Sequence, residues 1–242
     1  MIMSTMNGDL RSTLDELTRE GSTANPAFNA LLADYARYHL VLAVLGSAFL
    51  LAFVVLGGLS WKRFRSSPPS GRRRWTFPKL THLAAVALSV GVGLVLALVV
   101  AANLGNALDP RPGLAGAVPL IDTPRPDTPR AELQHAFDDW LQSGSTRMPA
   151  PVRRAVDGRL AWQRPKAVVS GVLLLIFLAL GARTWRALLD RNPGESGRWR
   201  PGDVALLAAG LGEVAICLLL MLMVVANTQA SLAPVAMTLF YG

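Results

Sequence analysis

Four long apolar runs, at residues 39–60, 80–103, 167–185 and 204–227, dominate the chain and are uncharged or nearly so. Each is close to the ~20 residues that carry a helix, at about 1.5 Å per residue, across a hydrocarbon core of ~30 Å. Backbone groups left unsatisfied in lipid are costly, so helices are the form these runs must take. No alternating pattern of the kind a barrel strand needs competes with them. The pattern predicts an all-α integral membrane protein with four transmembrane helices in two tandem hairpins, residues 39–103 and 166–227.

Apolar residues continue beyond the runs at helical spacing. Leu10, Leu14 and Leu17 stripe a short amphipathic helix over about residues 12–20, opened by Ser12 and Asp15 and stopped by Gly21. Asn25-Pro26 then supplies the cap and first-turn signals of a long helix that runs through Ser60. Phe28, Leu31, Leu32 and Tyr35 lie on the turns of that helix that project from the membrane, within the N-terminal segment 1–38. The approach to the third run, residues 151–166, is far more polar, and Pro165 predicts a kink or a restart at the membrane boundary.

Between the hairpins lies a segment of residues 104–165. Its first part, from Asp109-Pro110 to Pro126-Asp127, is punctuated by proline and reads as irregular. Thr128-Pro129 opens a helix over about residues 129–142, with Gly144 near its end. Leu133, Phe137, Trp140 and Leu141 form its apolar face, while Glu132 and the pair Asp138-Asp139 read as its solvated one. So short a helix cannot build an independent core. It is expected to dock on the projecting first helix, on the membrane or on another protein, and with Phe28, Leu31 and Tyr35 it forms the predicted outer docking surface.

A shift of about 124 residues superposes the tryptophan pair Trp61/Trp75 on Trp185/Trp199. The same shift lays Phe53 on Phe177, Leu56-Gly57 on Leu180-Gly181, Asn103 on Asn227 and Pro110 on Pro234. Leucine and alanine match cheaply in membrane segments, but asparagine and proline do not. The register predicts an internal duplication, with the hairpins related by a pseudo-twofold axis along the membrane normal. Segment 104–165 has no counterpart under this reading.

The formal net charge of +8 is concentrated in two short loops. Lys62, Arg63, Arg65, Arg72, Arg73, Arg74 and Lys79 occupy loop 61–79 with no acidic residue. Arg186, Arg191, Arg198 and Arg200 mark loop 186–202. The positive-inside rule makes both loops cytoplasmic, with the N-terminus, segment 104–165 and the tail 228–242 outside. The four tryptophans are interface anchors, and topology explains the basic charge without nucleic acid. The excess of arginine over lysine points to a bacterial cytoplasmic membrane. Cys217 stands alone, which excludes an intramolecular disulfide and a cysteine metal site.

Glu213 is the candidate for intramembrane chemistry. Ten residues beyond Asp203, it is expected about 15 Å deep, near mid-bilayer, where an ionisable side chain is a functional candidate by default. The repeat sets it on Ser89, its expected partner across the pseudo-axis. Asn103 and Asn227 are expected to cap helix ends at the outer surface or, alternatively, to line a vestibule. His39, His82 and His135 are scattered, so no metal site is expected, nor any cofactor. No nucleophile motif or phosphate loop occurs. These features favour a nonenzymatic accessory or scaffold subunit, with the bilayer and other membrane proteins or further copies of itself as partners. The alternative is a small oligomeric channel or transporter using Glu213 in proton or cation coupling.

Overall fold

The computed structural model describes residues 10–21, 24–66, 75–191 and 200–242, and the regular structure in them is helical. Eight helices follow one another: α1 (Leu10–Glu20), α2 (Pro26–Ser66), α3 (Phe77–Leu108), α4 (Pro110–Ala117), α5 (Pro129–Ser143), α6 (Ala150–Arg191), α7 (Pro201–Leu232) and α8 (Pro234–Tyr241). A 3₁₀ turn, Val118–Leu120, follows α4. Helices α2, α3, α6 and α7 are long and apolar enough to cross a membrane. Trp199 and much of both basic loops, including Arg72, Arg73, Arg74 and Arg198, lie outside the described residues.

Local chemistry accounts for the helix starts. The Asn25 side-chain oxygen accepts from the Phe28 N–H at 2.9 Å, capping α2. Thr128 caps α5 through the Ala131 N–H at 3.2 Å, and Gly144, at φ 61°, ends the helix in the left-handed region. Two expectations need correction. The proline-rich stretch is helical at α4, because Pro110 and Pro112 both fall in the first turn, where the missing N–H groups would have had no intrahelical acceptor. Helix α6 also continues through Pro165 instead of restarting. Pro165 and Ala161 are exposed, so the bond lost between them is lost at an open surface.

Lengths and bounds recur along the chain. Helices α3 and α7 each have 32 residues, α4 and α8 each have 8, and the bounds of the later helix lie 124 residues after those of the earlier. The first residues of α2 and α6 keep the same interval.

The chain divides into two compact units. The first comprises residues 1–43, 101–165 and 227–242 and holds one continuous apolar core. Leu10 and Leu14 of α1, Phe28 and Leu31 of α2, Leu114 of α4, Phe137, Trp140 and Leu141 of α5, Val152 of α6 and Leu239 of α8 all contribute. Helix α1 packs on α5, on α4 and on the 3₁₀ turn. Fully burying a side chain the size of leucine or phenylalanine stabilises a fold by about 1.5–3 kcal/mol. Of the three expected docking partners of α5 the core holds the projecting first helix, and Phe28, Leu31, Tyr35, Phe137, Trp140 and Leu141 are buried against this chain's own helices, so they are not the outer docking surface expected of them. Leu133 alone of the seven stays partly open.

Several buried polar groups in this unit are paired, although His39 Nε2 and Arg130 Nε are buried without a hydrogen-bond partner. Asp138 is not on a solvated face, since its Oδ1 accepts from Thr13 Oγ1 at 2.6 Å and its Oδ2 from Gln142 at 3.0 Å. Trp140 Nε1 donates to the Ser145 carbonyl at 2.8 Å. Ala233 has no side chain to cap α8, and buried Asp34 of α2 does so instead, accepting from the Ala236 N–H at 2.8 Å.

The second unit comprises residues 44–100 and 166–226, the central parts of α2, α3, α6 and α7. Its buried side chains are few. Among the described residues Phe53, Leu174, Leu188 and Leu220 are the apolar ones, and Ser60, Ser89, Ser170 and Asp203 the polar ones.

Candidate functional site

Glu213 sits on α7 where that helix meets α6. The contact is built from residues at helical spacing, Gly181, Thr184, Trp185, Leu188 and Arg191 on one side and Asp203, Gly210 and Glu213 on the other. A methyl group placed on Gly181 would stand 3.7 Å from Glu213 Oε2, and one on Gly210 would stand 3.1 Å from the Trp185 ring. Both glycines thus let a large side chain of the neighbouring helix come close. Leu188 is fully buried between these contacts and the Arg191–Asp203 pair, whose charged atoms are 3.7 Å apart.

Thr184 Oγ1 donates to Glu213 Oε1 at 3.0 Å, while Oε2 is buried with no hydrogen-bond partner. Ser89 is not the partner. Its own hydroxyl is buried without one, and its Cβ lies 3.0 Å from the point a methyl on Gly57 would occupy. Gly57 faces Ser89 within the first hairpin as Gly181 faces Glu213 within the second.

Arg191 and Asp203 each lie ten residues from the Gly181–Glu213 contact along their own helices, so the antiparallel pair is in register over about 15 Å. Exposed Arg183 and Arg186 flank Trp185 at the level of Thr184. A guanidinium keeps its head in the headgroup layer. Glu213 therefore meets α6 at the turn that carries exposed Arg183 and Arg186.

Asn103 and Asn227 cap no helix end. Helices α3 and α7 run on past them to Leu108 and Leu232, because nothing breaks either helix before Asp109-Pro110 and Ala233-Pro234. Asn103 Oδ1 instead lies 2.6 Å from His39 Nδ1, tying α3 to α2. The His39 ring stands edge-on to Tyr35 and Tyr38, with centroids 4.5 and 5.0 Å away. The sequence does not reveal this cluster because Asn103 lies 64 residues from His39 in the chain. The Asn227 carbonyl accepts from Ser231 Oγ at 2.7 Å.

Trp61 and Trp75 are about half exposed, and Phe64 lies between them at 5.6 and 6.5 Å. Lys79 Nζ stands 5.4 Å from the Phe64 centroid and 5.9 Å from that of Trp75. A cation over aromatic faces is suited to a membrane interface, where one end is apolar and the other wet. Trp185 is partly buried against Gly210. Comparison of the chain with protein-family models, with curated proteins and with solved structures found no match.

Proposed function

We propose that the chain is a nonenzymatic protein of the bacterial cytoplasmic membrane that serves as an accessory or scaffold subunit of a larger membrane or envelope assembly. The observation that carries this reading is how little membrane-spanning surface the chain covers by itself. No more than 22% of the apolar window of any of the four helices is buried. Gly58, Gly91 and Gly212 open onto empty space, where the backbone of another helix can approach closely. The apolar residues first expected to receive a partner fill the chain's own core, so the membrane-spanning helices become the surface on offer.

The alternative, an oligomeric channel or transporter coupled through Glu213, is less well supported. A carboxyl bonded to Thr184 of the same chain is better suited to clamping α6 to α7 than to relaying protons across the bilayer. Solubilisation in a gentle detergent tests the leading reading. Elution from native membranes as a complex larger than one copy is expected, and a monodisperse single copy would reject it.

Internal duplication belongs to the same proposal. Supporting it are the 124-residue interval between α3–α4 and α7–α8, and the paired contacts Gly57–Ser89 and Gly181–Glu213. At a shift of 123, Leu10, Leu14 and Leu17 also fall on Leu133, Phe137 and Trp140, and Gly21 on Gly144, both with φ near +60°. Each repeat then has four helices, short, long, long and short. Segment 104–165 is the end of one repeat and the start of the next, not an insertion. That α1 packs on its counterpart α5 is what a twofold relation produces.

A further inference from the structure

The first turns of α6 show one face to the apolar core and another to an open groove. Val152 and Val156 are buried, while Arg154, Ala155, Gly158 and Trp162 line two adjoining grooves bounded by α5 and α8. The matching positions of α2, 124 residues earlier, carry Leu31, Asp34 and Tyr38 in place of Ala155, Gly158 and Trp162. Leu31 and Asp34 are buried, whereas nothing stands within 4 Å of where a methyl on Gly158 would be. Small residues have opened in the second half a surface that the first half fills.

Charge and position indicate what the groove holds. Arg153, Arg154, Arg159, Arg164 and Lys166 crowd this stretch of α6 with Asp157 as the one acid among them, and the groove lining itself holds Arg130, Arg154 and Arg159 against Glu132. On the outward side the positive-inside rule disfavours such a cluster, so topology does not account for it. Trp162 lies five residues before the apolar run, where the sequence of a membrane helix carries its interfacial aromatic anchors. Trp162 and Tyr241 are 66% and 65% exposed, as aromatic side chains of a membrane interface are. Arg159 is occupied in holding α8, donating to Thr238 Oγ1 at 3.1 Å and to the Tyr241 carbonyl at 2.9 Å. Arg154, exposed on the rim, reaches only its own turn, the Ala150 carbonyl at 3.4 Å.

We propose that this groove binds the headgroup of an anionic phospholipid from the leaflet that α6 enters, with Arg154 pairing with the phosphate and Trp162 and Tyr241 lying against the glycerol and upper chain. The leaflet is the outer one on the orientation proposed above, on which the argument from charge rests, while the groove and its lining stand on the geometry alone.

The full chain, delipidated in a neutral detergent, is titrated with dihexanoyl phosphatidylglycerol or dihexanoyl phosphatidylcholine, reading tryptophan fluorescence and the unfolding midpoint. The anionic lipid should bind more tightly. Arg154→Gln should weaken it about fivefold, the equivalent of about 1 kcal/mol per cation at an anionic surface. Trp162→Ala should weaken both lipids, and Arg65→Gln in the basic loop should change neither. Equal binding of the two lipids, binding of neither, or an unchanged phosphatidylglycerol affinity in Arg154→Gln overturns the proposal. Binding of neither would leave the groove to an acidic protein segment. Ser145→Cys in a Cys217→Ser background, labelled on intact cells with an impermeant maleimide, tests orientation separately. Labelling only after permeabilisation would reject the orientation and assign the lipid to the inner leaflet.

Discussion

A glycine and a carboxyl on α7 make opposite demands at the residue scale. Gly210 has the Trp185 ring where a side chain would go, whereas Gly212 faces open space. Gly210→Val should lower thermal stability in detergent by about 1–3 kcal/mol through overpacking, and Gly212→Ala should leave it unchanged. Glu213→Gln keeps an acceptor for Thr184 and should assemble normally. Glu213→Leu removes the acceptor and should cost on the order of 1 kcal/mol. Abolition of a proton or cation flux in liposomes by Glu213→Gln would reinstate the transporter reading. Asp34 provides a pH test. Burial pushes its carboxyl above the usual range, and the Ala236 N–H and Arg37 only partly oppose that. A raised value means the folded state binds the proton more tightly, so its contribution is full below the unfolded value and lost as pH rises through the folded one. Measured by thermal unfolding, Asp34→Asn should gain stability relative to wild type as pH rises from acid to neutral. A difference between the two that does not change with pH would refute this.

Among elements, the helices whose ends carry a chemical stop were the most legible. Asn25-Pro26 and Thr128-Pro129 start α2 and α5 where the sequence indicates. The far ends of α3 and α7 were misread because the change from apolar to polar at Asn103 and Asn227 resembles an end. A helix does not stop for polarity, only for a residue that cannot continue it. Of the core around α5, docking on the projecting part of α2 was among the expectations, and the rest was hidden for another reason. Its partners come from α1, α2, α4, α6 and α8, and no local pattern announces contacts between segments so distant in sequence. Since Trp140 is 2% exposed, Trp140→Ala should cost about 3–5 kcal/mol. Limited proteolysis should then cut within α5 while the membrane-spanning helices stay protected. Unaltered resistance of α5 would show that its packing matters little.

For the whole molecule, the class was plain from four runs of apolar residues, and the candidate site was only half legible. Glu213 was identified by its cost in lipid, but its neighbours Thr184 and Gly181 carry no signal until the register of α6 on α7 is known. If the chain is two repeats, residues 1–122 and 123–242 expressed as separate polypeptides should reassemble and copurify. Failure of coexpressed halves to associate would count against repeats that fold as units. The core of the first unit has one more consequence, for the order of synthesis. It joins Leu10 and Leu14, near one end of the chain, to Ala236 and Leu239, near the other. The helix bearing the last two follows the fourth membrane-spanning segment, so the core must stay open until that segment has been inserted. During that interval Phe28, Phe137 and Trp140 lack their final cover, and biogenesis, more than the finished fold, is when this protein most needs a chaperone on that side of the membrane.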